Sequence, residues 1–313
     1  MSDIDRVLRS NLKLKHLQLI VALDEFRHLG RSAEFLSLTQ PAVSKSLAEI
    51  ERMFGLELFV RSTRGTEPTA YGDKVARFAR AVLADFDRTR EDIAAVASGG
   101  AGRVRVGAMV VATPGWLTQA VDRLKQDSPR TTISIEEGDL SRLLPRLRVG
   151  ELDFIVGRLE PGYAAPDLET EALYTETMCV VVTPQHPLAR RRKPGWADLA
   201  PLPWVVPPAW AASRVKLNQM FYKHGLEPPA DIIESASFLV TLAFLRERAC
   251  VGFVALGVAS YLAREGLAVR LPLPVPIELP PVGAIWLRSG LRTPAMDRLL
   301  NELRALVPGP RRG

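Results

Sequence analysis

"LTQPAVSKSLAEIE", residues 38–51, is polar at its start and then apolar at every third or fourth position. Val43, Leu47 and Ile50, followed by Phe54, fall on one stripe of a helix spanning 40–54. Thr39 or Gln40 suits the N-cap, Pro41 the first turn, where its missing N–H costs nothing, and Gly55 the C-cap. The first turn carries no acidic residue, although a helix N-terminus favours one. A small, uncharged tip of this kind allows close approach to another surface.

The flanking segments build outward from that helix. "LKHLQLIVALDEF" (14–26) has apolar residues at 14, 17, 20, 21 and 23, and "GRSAEFLSL" (30–38) is a second short helix with Ala33 and Leu36 inward. Downstream, Phe59 and Val60 read as strand and "STRGTEP" (62–68) as a turn, in which Gly65 supplies a positive φ. The pattern is a helix, a helix–turn–helix and a small hairpin wing. A single long helix follows over 71–100. Val75, Ala79, Val82, Phe86, Ile93 and Val96 follow a heptad with Thr89 in the missing position. This is the signature of a seam between two copies of the chain; packing against its own domain is the alternative.

From residue 101 strands alternate with helices to the end of the chain, which implies α/β architecture with mainly parallel sheets. The strands are expected in "GRVRVGAM", "TTISIEEG", "LDFIVGRL", "MCVVVTP", "WVVPP", "DIIES", "CVGFVAL" and "GAIWLR". A helix in "PGWLTQAVDRLKQDSP" would open at Thr113-Pro114. The proline-rich "LPLPVPIELPP" (271–281) is a poor strand centre and a candidate crossing between subdomains.

With 313 residues, 47% of them hydrophobic, the chain supports about two domains with sizeable cores. The net charge of +6 permits a nucleic-acid partner, but residues 1–98 hold 15 Lys and Arg against 14 Asp and Glu, so any DNA contact must rest on local geometry. The start "MSDID" has no apolar h-region and no run of about 18 apolar residues occurs, so neither a signal peptide nor a membrane partner is expected. Cys179 and Cys250 sit in apolar runs and read as buried reduced thiols of a cytoplasmic protein. The histidines at 16, 28, 186 and 224 lack metal-ligand spacing, and no G-x-S-x-G, Walker A or G-x-G-x-x-G motif is present, so no metal, cofactor or catalytic residue is expected. The basic run "ARRRKPGW" (189–196) reads as a solvated loop, with a DNA or partner contact as the alternative.

Residues 14–72 resemble the bacterial LysR-type transcriptional regulators, through Gln40-Pro41-Ala42-Val43-Ser44, "LELFVR" (56–61), Thr69 and Gly72. "EEGDLSRLLPRLRVGELDFIVGRL" (136–159) and "TPQHPLA" (183–189) resemble that family's effector subdomains. The resemblance implies a multi-domain α/β protein: an N-terminal winged helix–turn–helix (1–70), a long dimerisation linker helix (71–98), and a two-lobed effector domain (99–313) like the periplasmic binding proteins. Lobe I would comprise about 99–173 and 278–313, and lobe II about 174–277. It further implies a regulator that is not an enzyme, is nucleoid-associated, and forms a homo-oligomer, a dimer of dimers. Its partners would be double-stranded promoter DNA, a small-molecule effector and RNA polymerase. A solute-binding module or a small-molecule enzyme on the same lobes is the alternative.

In such a head the tip enters the major groove. Thr39 caps the helix, Gln40 can pair with adenine, Ser44 with several base edges, and Pro41 or Ala42 with a thymine methyl, while Lys45, Arg61 and Arg64 suit phosphate or the minor groove. In the effector domain, ligands are expected at strand C-terminal ends near helix N-termini. The candidates are Val111, Ala112, Thr113, Gly138, Asp139, Arg158, Trp210, Ser213, Phe238 and Val254, with Arg158 pairing with a carboxylate, Asp139 accepting from hydroxyls, and Val111, Trp210 and Phe238 forming an apolar wall. The dimer helix would use Val75, Ala79, Val82, Phe86 and Ile93.

Overall fold

A computed structural model of the protein describes residues 3–62, 65–97, 102–290 and 292–307. The chain divides into two compact units, Met1–Gly100 with Pro145–Leu152, and Ala101–Leu144 with Asp153–Gly313.

In the first unit, α1 (Asp3–Arg6) precedes three helices: α2 (Leu14–Phe26), α3 (Leu29–Phe35) and α4 (Gln40–Phe54). The stripe Val43, Leu47, Ile50 and Phe54 is buried against Leu17, Ile20 and Leu23 of α2. The Thr39 hydroxyl accepts from Ala42 N at 3.4 Å and Gly55, at φ 65°, closes the other end, so both caps are where residue chemistry places them. α3 begins earlier than expected because His28 caps it, its Nδ1 accepting from Gly30 N at 3.1 Å and Arg31 N at 3.4 Å.

The wing is longer than the expected turn. β1 (Phe59–Ser62) pairs antiparallel with β2 (Gly65–Pro68) in the register Phe59↔Pro68, Ser62↔Gly65. Gly65 has φ 138°, and a Cβ there would stand 2.6 Å from the Arg27 carbonyl oxygen, which accepts from Thr66 N at 2.9 Å. Glu51 Oε1 accepts from Leu58 N at 2.9 Å and Phe59 N at 3.1 Å, binding the end of α4 to the wing. Thr69 then caps α5 (Ala70–Ala97): its hydroxyl donates to Glu57 O at 2.8 Å and accepts from Gly72 N at 3.1 Å. Gly72 has no room for a Cβ against the Leu58 carbonyl.

The second unit contains two five-stranded sheets. The chain runs β3 (Arg103–Ala108), α6 (Thr118–Asp127), β4 (Thr132–Glu137), α7 (Leu140–Arg148), β5 (Phe154–Arg158), β6 (Leu168–Tyr174), β7 (Met178–Val182), α8 (Trp196–Leu199), β8 (Trp204–Val206), α9 (Ala212–Lys223), β9 (Ile232–Glu234), α10 (Phe238–Glu247), β10 (Val251–Ala255), α11 (Leu256–Arg264), β11 (Val269–Arg270), β12 (Val282–Leu287) and α12 (Pro294–Ala305). One sheet has the order β4-β3-β5-β12-β6 and the other β11-β7-β10-β8-β9. The chain therefore passes from one sheet to the other after Tyr174 and returns through 271–281, which form no regular element.

The sheets are mixed, not mainly parallel. β12 runs antiparallel to β5 and β6, and β7 runs antiparallel to β10 and β11. Both strands are entered by a crossing from the other sheet, so the βαβ geometry that enforces parallel pairing does not apply to them. β6 is absent from the expected strands; its sequence, LETEALY, is too polar to read as core and it lies at a sheet edge. The helix expected from Pro114 starts only at Thr118, because Pro114 (ψ 119°) and Gly115 (φ 98°) are non-helical. In the basic run, Arg191 pairs with Asp198 at 2.9 Å. Among the described residues no helix is long and apolar enough to cross a membrane.

Candidate functional site

Two regions carry exposed or unpaired polar chemistry. The first is the start of α4. Thr39, Gln40, Pro41 and Lys45 are exposed, and Ala42 and Ser44 are half-buried. The wing reaches this tip directly: Arg61 Nη1 donates to Ser44 Oγ at 2.9 Å. The tip thus presents an amide, two hydroxyls, a methyl and two cations with no carboxylate in its first turn. Arg64 lies outside the described residues.

The long helix α5 has two faces, and the heptad reading merges them. Ala76 and Ala79 are covered within their own unit, which also half-buries Val75 and Val82. Their small side chains let α2 approach closely, and Arg80 ties the two helices through Asp24 at 2.5 Å. Ala79 is 0% exposed and therefore takes no part in an inter-chain seam. The outward apolar stripe is Phe78, Phe86 (48% exposed) and Ile93 (65%). Phe78 was not among the sequence candidates.

The second region is a cavity of about 430 Å³ in the second unit, within the range of small-molecule sites. It gathers the C-terminal ends of β3, β4, β5, β8, β9 and β10, where α/β folds place ligands. Val111, Gly138, Asp139, Arg158, Trp210, Ser213, Phe238 and Val254 all line it. Ala112 and Thr113 do not. Ala112 N donates to Met109 O at 2.9 Å and the Thr113 hydroxyl to the same oxygen at 3.3 Å, so the segment folds back and Ala112 enters the core.

Arg158 is 6% exposed and its Nη1 donates to Pro280 O, in the return crossing, at 2.7 Å. Burial lowers its pKa, while Glu176, Glu160 and Tyr174 oppose that shift. Asp139 is a helix cap: it accepts from the Ser141 hydroxyl and from Arg142 N at 3.1 Å, and the Ser141 bond chiefly holds its carboxyl below the ordinary range. Ser237 caps α10, accepting from Val240 N at 3.4 Å. Glu160 and Arg142 also line the cavity and were missed in the sequence; Glu160 lies two residues beyond Arg158, and only the turn after β5 brings it inward. Burial pushes the Glu160 carboxyl up, Arg158 draws it back and Asp139 adds to the rise. A second hollow, of about 760 Å³, lies along Trp116, Tyr174 and α11, but there Glu176 Oε2 already accepts from Gly257 N at 3.2 Å. Among the described residues no His, Cys, Asp or Glu group could hold a metal ion; His16, His28 and His186 instead accept from nearby backbone N–H groups.

Comparison with known proteins shows the family to which both segments belong. Residues 14–73 match the bacterial regulatory helix-turn-helix protein model of the lysR family, and residues 97–308 match the LysR substrate binding domain. The chain belongs to the LysR family of transcriptional regulators. It is 33% identical over 301 residues to the regulator GbpR of Azospirillum brasilense, covering 95% of this chain and 87% of that one. It is 30% identical over 293 residues to GalR of Pseudomonas putida, covering 94% and 74%. Among solved structures, full-length CbnR complexed with its target DNA shares the fold, with a TM-score of 0.70 and 19% identity over 94% of this chain and 99% of that one. As a LysR regulator the protein is a DNA-binding transcriptional regulator with an effector-binding domain, from a family of regulators and not of enzymes. The α4 tip falls within the LysR helix–turn–helix segment and the cavity within the LysR substrate-binding segment.

Proposed function

We propose that the α4 tip reads base edges in the major groove, and that occupation of the cavity by a small organic acid controls transcription. The observation that carries the DNA reading is the exposed, carboxylate-free first turn of α4 with Arg61 held against it. Gln40 is the main base reader, with Pro41, Ala42 and Ser44 beside it; Thr39 and Lys45 approach phosphate at the positive helix end. The solved CbnR complex with its target DNA supports this role by analogy of fold. Arg158 anchors the acid: it is a buried guanidinium with one described hydrogen bond, to Pro280 O.

The working arrangement is a head over 1–70, a linker helix over 71–98 and an effector domain over 99–313, with lobes at about 99–173 with 278–313 and about 174–277. The Phe78–Phe86–Ile93 stripe supports pairing of linker helices, and a dimer of dimers acts at a promoter with RNA polymerase in the cytoplasm. Ligand closure of the lobes changes the separation of paired heads and so the DNA bend. Thermal-shift screening of small organic acids on the full chain tests the cavity reading. Stabilising acids are expected, with the shift lost in Arg158→Ala; acid stabilisation that survives that change removes Arg158 from the site.

A further inference from the structure

The polar groups around the cavity differ in how far the fold has already satisfied them. Asp139 caps α7 and Ser237 caps α10. The Arg142 guanidinium lies 3.3 Å from the Glu136 carboxylate. Glu137 also lines the cavity without a described partner, but it is exposed; Glu160 is different in being half-buried. Among the described residues no hydrogen bond or ion pair engages its carboxylate, although the residue is half-buried in the cavity wall. Arg158, at the end of the same strand, donates to one described acceptor, Pro280 O, while a guanidinium carries five N–H donors. The two side chains attract each other, yet no ion pair joins them among the described residues.

The fold therefore places a largely buried donor set and a half-buried pure acceptor on the wall of one cavity without pairing them. Both groups keep hydrogen-bonding capacity for a partner inside the cavity. The partner must accept from Arg158 and donate to Glu160. A simple carboxylic acid satisfies the first group but brings its charge toward Glu160 and Asp139. An amine satisfies the second but is repelled by Arg158. A hydroxyl beside a carboxylate satisfies both, because it donates to a carboxylate without carrying charge. Ser213 and Ser235 line the same cavity and offer further hydroxyl contacts, and Trp210, 60% exposed, lines it with a flat apolar face.

Building on the acid-binding reading of the cavity, we propose that the inducer is a polyhydroxylated carboxylic acid of the sugar-acid class, its carboxylate on Arg158 and a hydroxyl donating to Glu160. A site that uses a cavity carboxylate to receive a hydroxyl discriminates against the analogue that lacks it.

Calorimetry and thermal shift on the full chain test this with three panels of matched chain length: four- to six-carbon aldonic acids, the corresponding unsubstituted alkanoic acids, and the corresponding neutral alditols. At least one aldonic acid is expected to bind about tenfold or more tighter than its alkanoic counterpart, and Glu160→Ala to remove most of that preference, with alkanoate binding strengthened by loss of the neighbouring negative charge. Glu160→Gln, which keeps the side-chain volume, serves if the alanine variant does not fold, and is expected to weaken the preference. Alkanoates that bind as tightly as aldonic acids, or a preference indifferent to both variants, would overturn the Glu160 assignment and leave the acid reading standing. Alditols that bind as tightly as aldonic acids would overturn the acid reading instead. Binding by no member of any panel at millimolar concentration would overturn both.

Discussion

The α4 tip and the effector cavity are both sites of exposed polar chemistry, but they are assembled in opposite ways. The tip is built from consecutive residues, 39–45, joined, among the described residues, by Arg61 of the neighbouring wing. The cavity is built from the ends of six strands separated by as much as half the chain, and its buried cation is held by a carbonyl 122 residues away. At the tip Thr39, Gln40, Pro41 and Lys45 are left open to solvent. In the cavity Asp139, Ser237 and Arg142 already serve the fold as caps or an ion pair, and fewer polar groups are left for a ligand. Residue type alone therefore says more about the tip than about the cavity.

The largest effect follows from the head's dependence on its own core. Leu47 is fully buried beneath the tip, and Leu47→Ala is expected to cost roughly 2–5 kcal/mol of head stability. Chemical denaturation combined with DNA and ligand titrations would read it: DNA binding should fall while ligand stabilisation of the effector domain persists. Simultaneous loss of both would break the division between the two regions. The next effect concerns α5. Phe86→Glu places a charge in the exposed stripe and should shift the protein toward monomer by about tenfold or more in dimer dissociation constant, as read by sedimentation. An unchanged association state would show that the seam lies elsewhere.

The smallest effect concerns pH. Burial raises the Glu160 carboxyl above its ordinary value, so the folded state binds its proton more tightly than the unfolded state does. Stability from this group is present at low pH and lost as pH rises through the folded-state value. Glu160→Gln, neutral throughout, should therefore match the unliganded wild type in acid and gain stability over it as pH rises from the ordinary carboxylate range toward neutrality. Denaturation curves at several pH values would show the gap opening with pH; a gap that opens toward acid contradicts the burial effect.

Legibility in the sequence tracks the range of the interactions. The α4 stripe, its Thr39 and Gly55 caps and the existence of the wing are set by neighbours within a few residues, and all were readable. Gly72 could be marked only through the family likeness; its reason, the Leu58 carbonyl, needs the fold. The heptad in α5 was readable as a pattern, but which face the head itself covers is a tertiary fact, so Ala79 was assigned outward and Phe78 overlooked. The cavity could be located at strand ends in general, and eight of the ten candidates line it. Ala112 and Thr113 were lost to a backbone turn at Met109, β6 to its polar edge sequence, and Glu160 because nothing in "GRLEP" distinguishes a cavity carboxylate from a surface one.

The central claim is that the tip beginning at Gln40 reads base pairs. Fluorescence anisotropy of Gln40→Ala against the protein's selected operator and a random duplex, at matched salt, tests it most directly. The expected result is a loss of about 1–3 kcal/mol on the operator with little change on random DNA. Equal losses on both, or none on either, would contradict it.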